Sequence, residues 1–121
     1  MFFPCFYSGP YSSVGCWADY DRHSSDVSIE ATHSSLQDNY LLRKNAIEKC
    51  GEVSYSKKFN TFALHDGGAC SSGSKFHLTF DKDGKSNNCA FGKGASFAND
   101  VYEISSKLRL VFILYFYVIN N

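Results

Sequence analysis

Five cysteines, Cys5, Cys16, Cys50, Cys70 and Cys89, constrain this chain more than any other feature of its sequence. They are spread out, with no C-x-x-C pair and no zinc-ribbon spacing, which argues against a structural zinc site. Separated cysteines in a short chain rich in Ser, Gly and Tyr read as disulfides, and disulfides imply an oxidising compartment. The alternative is a set of reduced, buried thiols in a cytosolic protein. The odd count leaves one cysteine over. Cys5 precedes the Gly9-Pro10 turn signal and lies outside the best-patterned region, so Cys16, Cys50, Cys70 and Cys89 form the structural set. Four cysteines allow three connectivities, and sequence alone does not choose among them.

At 121 residues the chain fits a single domain, whose small core gains much from cross-links. Apolar residues make up 44%, which rules out disorder of the whole chain. Basic and acidic residues balance at 12 each, so no basic surplus exists to steer a phosphate backbone, and nucleic acid is excluded as an expected partner. The apolar opening Met1-Phe2-Phe3-Pro4-Cys5-Phe6-Tyr7 lacks a basic flank and is interrupted by Pro4, so it does not read as a secretion signal. An extracellular assignment therefore takes the chain as a fragment, or as one whose true start is missing.

Residues 1–13 read as a lead-in, 14–104 as the cysteine-rich module and 105–121 as a hydrophobic tail. Val14-Gly15-Cys16-Trp17-Ala18 reads as a short strand with Trp17 in the core or at its rim. Asp19 to Asn39 is polar and Ser-rich, a loop with at most a short helical turn. A helix is expected from Asp38 or Asn39. Leu42, Ala46, Ile47 and Cys50 recur at helical spacing, and Gly51 serves as C-cap unless the helix runs on towards Tyr55. Phe59 to His65 is a strand that ends at the Asp66-Gly67-Gly68 turn signal. Phe76, Leu78 and Phe80 alternate with polar residues and predict a second strand or extended segment. Asp81-Lys82-Asp83-Gly84 is a turn, the loop continues through Gly92 and Gly94, and Asn99 to Ile104 is a further strand. The apolar run Leu110 to Ile119 is about half the roughly 20 residues of a spanning helix. It reads as a buried strand, a truncated membrane anchor or appended non-native sequence, and its β-branched and aromatic residues favour strand.

Taken in order, Gly15-Cys16-Trp17, a helix bearing Cys50, Phe62-Ala63-Leu64-His65-Asp66-Gly67-Gly68-Ala69-Cys70, Gly84-Lys85-Ser86 before Cys89, and Gly92-Lys93-Gly94 before Ala98-Asn99-Asp100-Val101-Tyr102 form a pattern. It resembles the WSC domain and, more distantly, the PAN/Apple modules of invertebrate extracellular proteins, over roughly residues 14–104. His65 stands where that pattern usually has Gln, Asp83 where an aromatic is common, and the four-cysteine set is reduced from the usual WSC complement. The resemblance implies an α+β fold: one helix packed on a small, mostly antiparallel sheet, disulfide-stapled with long loops. It also implies a carbohydrate-binding or adhesion role at the cell surface. With it comes an expected pairing of Cys50 with Cys70, joining helix to sheet, and of Cys16 with Cys89, closing the module ends and the longer loop.

Four residues are candidate ligand contacts. His65 and Asp66 stand at a turn where loops on a rigid scaffold carry binding residues, although turn chemistry alone accounts for Asp66-Gly67-Gly68 and is the favoured account. Among the aromatics able to stack on a sugar ring (Trp17, Tyr20, Tyr55 and Phe97), Tyr20 and Phe97 have polar or small neighbours and are the surface candidates. Cys70 beside His65 or His77 is better read as half a disulfide than as a nucleophile. Asp81, Asp83 and Asn87 lack the closing acid of a calcium loop, and Gly92-x-Gly94 lacks the third glycine of a dinucleotide fingerprint. No catalytic residue, metal site or cofactor is expected. The expected partner is a glycan or a cell-surface protein, and a membrane only if the tail is an anchor. The second reading is a structural or protein-interaction module without sugar specificity. An enzyme comes last and would need a free Cys70 thiolate.

Overall fold

The computed structural model of the chain describes residues 10–20, 27–105 and 117–119. The fold is α+β, with one main helix on a five-stranded antiparallel sheet. In chain order come β1 (Tyr11–Ala18), β2 (Val27–Ser28), α1 (Ala46–Ser56), β3 (Thr61–His65), β4 (Ala69–Ser72), α2 (Phe76–Thr79) and β5 (Ala98–Ile104). The strand order is β1-β5-β3-β4-β2. The expected readings of residues 1–9, of Cys5, and of the tail other than Ser105 and residues 117–119 lie outside the described residues.

β3 is buried throughout because both faces of the sheet are covered. Its even residues, Phe62 and Leu64, join Cys70, Tyr102 and Ile104 under α1, which contributes Ala46, Cys50 and Val53. The rings of Phe62 and Tyr102 stack at 5.3 Å, and Tyr11 meets Phe62 edge-on at 5.5 Å. Ala63 and Val101 point to the other face, where Phe76, Phe80, Trp17 and Val14 pack on them.

β1 starts at Tyr11 rather than Val14. A bulge lets Val14 and Gly15 together oppose Val101. That extra residue resets the side-chain alternation, so Tyr11 and Cys16 lie on the helix face while Trp17 lies on the other, against Phe80 at 5.3 Å. The outer edge of β1 is covered by residues 84–86, with Ala18 N–H donating to Gly84 O at 2.8 Å and Ser86 N–H to Cys16 O at 3.1 Å.

The disulfides are Cys16–Cys89 and Cys50–Cys70, the expected pairing, with Cα separations of 6.0 and 5.5 Å. Cys50 and Cys70 are fully buried between helix and sheet. Beside them lies an ion-pair clasp. Arg43, 2% exposed, sends Nη1 and Nη2 to the two oxygens of Glu30 at 2.8 and 2.7 Å and Nε to Asp38 at 2.7 Å. Glu30 also accepts the backbone N–H of Cys70 at 2.7 Å, so the network ties the loop before α1 to β4. The guanidinium pKa is raised, chiefly by the hydrogen bond to Glu30, and the carboxyl of Asp38 is held below its usual range by the bond to Arg43.

Three expectations for the elements give way to packing. The helical spacing from Leu42 does not make one helix. Tyr40–Leu42 is a 3-10 turn and Asn45 sits at φ +54°, so α1 starts at Ala46, because Arg43 turns inward to its carboxylates. Gly51 is not the C-cap, and the alternative of a helix that runs on towards Tyr55 holds. The helix runs to Ser56, and Gly51 is buried where a Cβ would collide with the Tyr11 ring. Phe76–Thr79 is a short helix and not a strand: Phe76 and the C-cap residue Phe80, four apart, share the inward face at a ring distance of 6.2 Å, and Leu78 is left exposed.

Candidate ligand-binding site

The four candidate residues lie at one end of the sheet, where β1 and β3 finish and β5 begins. Tyr20 follows β1, Phe97 precedes β5, and His65 and Asp66 end β3. Asp19 N–H donates to Phe97 O at 2.9 Å, which joins the first two segments, and Tyr20 N–H donates to an Asp83 oxygen at 3.0 Å. Tyr20 and Phe97 are 59% and 61% exposed. Asp19 is buried beneath them and accepts from the Asn99 side chain at 3.2 Å.

His65 departs from the role of direct ligand contact. Its position in β3 turns the side chain to the face covered by α2, and the residue is 7% exposed. Nδ1 lies 2.7 Å from Asp66 Oδ2, and Nε2 is buried without a hydrogen-bond partner. Asp66 is half-buried and is the accessible polar group of the pair. Its φ of +51° opens the turn, which Gly68 closes at φ +140°. A Cβ on Gly68 would stand 2.7 Å from Tyr40 O, so turn chemistry and close packing both demand glycine there.

The loop from Ala90 to Phe97 lies at this end and is tethered at several points. Cys89 bonds its start to β1. Tyr102 Oη donates to Gly92 O at 2.7 Å, and Gly94 N–H donates to Asp100 Oδ2 at 2.8 Å. Gly67 N–H reaches Lys93 O and Asp66 N–H reaches Ala95 O, both at 3.2 Å. Gly94 is wedged against backbone, and a Cβ there would come within 2.6 Å of His65 Cα and 2.8 Å of Ala98 O. Burial pushes the Asp100 carboxyl pKa up, an effect partly offset by the Gly94 amide. Burial, with the negative charges of Asp100 and Glu48, pushes the Tyr102 phenol up to about 12, so it remains a donor at neutral pH.

This loop carries a residue that sequence reasoning passed over. Phe91 is 94% exposed at φ +57°, and Phe97 sits at φ +58°. A left-handed backbone costs a residue with a Cβ about 1–2 kcal/mol. Each phenylalanine lies in a β-turn that uses that conformation: Lys93 N–H donates to Ala90 O at 3.0 Å across Phe91-Gly92, and Ala98 N–H to Ala95 O at 3.2 Å across Ser96-Phe97. The only sequence signal for Phe91 was its place beside Gly92-x-Gly94. Beyond the loop, Leu41, 59% exposed, abuts Gly67 in the β3–β4 turn.

The remaining motifs are accounted for by structure. Trp17 and Tyr55 pack, half-buried, against the two cores. Cys70 is disulfide-bonded and has no thiol to activate. Asp83 serves the backbone of Tyr20, and among the described residues no group of three or more His, Cys, Asp or Glu is placed to hold a metal ion. No described helix is long and apolar enough to cross a membrane. No protein-family model matches the chain, and no curated protein is significantly similar to it.

Proposed function

We propose that this chain is an extracellular binding module, not an enzyme, that takes a carbohydrate or serves adhesion through the sheet end bearing Tyr20, Asp66 and Phe97. The observation that carries the reading is the pinned loop that holds phenylalanine exposed in left-handed backbone. Two β-turns, 90–93 and 95–98, hold Phe91 and Phe97 in that backbone, and a disulfide and several hydrogen bonds keep the loop in place, so the exposed rings are held by a preorganised frame. Exposed aromatic faces suit the C–H faces of sugar rings, and the half-buried carboxylate of Asp66 supplies an acceptor for sugar hydroxyls. Two disulfides in so small a domain fit an oxidising compartment. The resemblance to WSC-like modules points the same way.

The exposed Leu41 and Leu42 on the flank of this end favour the second reading, a protein-interaction module without sugar specificity. A glycan array probed with the oxidised protein and with F97A separates the two. Binding to a restricted set of glycans, lost in F97A, is the expected result. A folded protein silent on all glycans sinks the carbohydrate reading in favour of the second.

A further inference from the structure

We infer that Asn87 is an N-glycosylation site, and that closure of the Cys16–Cys89 disulfide limits its occupancy. This rests on the extracellular part of the reading above and holds whatever the module binds.

The acceptor is written in the sequence. N-linked transfer recognises an asparagine together with a hydroxyl two residues on, in the order Asn-x-Ser or Asn-x-Thr, with x other than proline. No asparagine of this sequence has Ser or Thr at that distance, but Asn87 has Cys89, across Asn88. A reduced cysteine carries a thiol on the same carbon, a weaker donor and acceptor that can stand in for the hydroxyl. Asn87 is the one asparagine so placed.

The fold leaves this acceptor room for a glycan. Asn87 and Asn88 are exposed and lie outside every helix and strand. Asn88 N–H donates to Ser86 Oγ at 3.1 Å, which closes a turn around Asn87. The turn directly follows the segment that covers the outer edge of β1. A glycan on Asn87 stands off that edge and screens it with a bulky hydrophilic chain.

The disulfide sets the timing. In the oxidised fold the Cys89 sulfur is bonded to Cys16 and offers no thiol, so transfer comes before the bridge closes. In the transfer step the Asn87 amide nitrogen attacks the anomeric carbon of a lipid-linked oligosaccharide. A carbon–nitrogen bond forms, the carbon–oxygen bond to the lipid pyrophosphate breaks with its electron pair going to the pyrophosphate, and the amide proton passes to a base of the transferase. The bridge forms instead by exchange with an oxidising disulfide of the compartment, which is reduced to two thiols. Cys16 lies 73 residues upstream and is already in the compartment when Cys89 arrives. The two reactions therefore compete for one thiol, and the Cys50–Cys70 bridge takes no part.

The test is expression of the whole chain behind a cleavable secretory leader in eukaryotic cells, as the parent, N87Q and C89T. Glycans are removed with an amidase that turns glycosylated asparagine into aspartate. Peptides from medium and total cell extract are then read by mass spectrometry, with disulfide mapping on the same samples. The extract includes chains that fail to fold, so loss of the bridge in C89T does not hide the result. Partial occupancy of Asn87 is expected in the parent, none in N87Q, and several-fold higher occupancy in C89T. A dithiothreitol pulse that delays the bridges should raise occupancy in the parent and leave C89T unchanged. An unmodified parent, whether C89T is glycosylated or not, overturns the site and leaves the extracellular reading standing. Occupancy in the parent that ignores dithiothreitol overturns the role of the disulfide. Free thiols at Cys16, Cys50, Cys70 and Cys89 in the secreted parent overturn the extracellular reading itself.

Discussion

Replacing Phe97 by alanine and by glycine tests the strain on which the functional reading rests. Both substitutions remove the same ring, so the difference between them isolates the backbone. At φ +58° alanine keeps the left-handed cost of about 1–2 kcal/mol, whereas glycine is free of it. Glycine loses about 0.5–1 kcal/mol more conformational entropy on folding. The net expectation is that F97G is more stable than F97A by about 1 kcal/mol, and the same reasoning gives a similar gap between F91G and F91A at φ +57°. For a domain of this size that is a difference of about 4 °C in melting temperature. Urea unfolding of the oxidised proteins, followed by far-UV circular dichroism, measures the gap, provided the slope with denaturant is unchanged. Alanine variants as stable as the glycine variants at both positions would refute the reasoning, since the backbone would then carry no strain.

Other consequences follow from the buried polar groups and the bridges. R43M leaves the largely buried Glu30 without its cation and should cost about 2–3 kcal/mol in urea unfolding, whereas a cost under about 1 kcal/mol would mean that the clasp is not needed. Burial raises the Asp100 pKa above its unfolded value. Its stabilising contribution is therefore fully present below the usual carboxylate pKa of about 3.9 and is lost as pH rises through the folded value. D100N keeps an oxygen for Gly94, so it should be more stable than the parent at pH 7, with the advantage vanishing near pH 4 in thermal melts across pH. Removing Cys16–Cys89, which spans 73 residues, should cost about 4.4 kcal/mol by loop entropy, against about 3.3 for Cys50–Cys70, which spans 20. Paired alanine variants measure this, and the buried position of Cys50–Cys70 will narrow or reverse the order if packing outweighs chain entropy.

The parts of the fold that were legible in the sequence rest on local chemistry. β3 and the turn after it were visible because the aromatic-rich run to His65 meets Asp66-Gly67-Gly68, a turn that needs left-handed residues, whereas β4, Ala69–Ser72, is short and small-residued and was passed over in favour of a strand at Phe76 to Phe80. The helix bearing Cys50 was visible in its apolar spacing, and β5 in the run from Asn99 to Ile104. The misread parts were decided by distant partners. Phe76 and Phe80 satisfy a period of two and a spacing of four equally well, and only the sheet face they cover decides for helix. Gly51 looks like a helix stop until Tyr11, forty residues earlier, is laid across it. Arg43 looks like a solvated helix residue until Glu30 and Asp38 surround it.

The candidate site was legible to the same extent. Tyr20 and Phe97 were exposed as their polar and small neighbours implied, and Asp66 was at the turn. His65 was nominated for its type and place beside the turn, and strand alternation then buried it. Phe91 was missed because a lone aromatic in a glycine-containing loop carries no periodicity. Its importance comes from the left-handed backbone and from pins supplied by Asp100, Tyr102 and Cys16 across the fold.

The central claim, that this end of the sheet is the ligand surface, is met most directly by NMR titration of the oxidised, isotope-labelled protein with the strongest binder from the glycan array. The account predicts that amide shifts concentrate at residues 19–20, 66–67 and 91–97, with α2 and β2 unmoved. Shifts centred on α2 or β2, or no shift with any glycan, would contradict it.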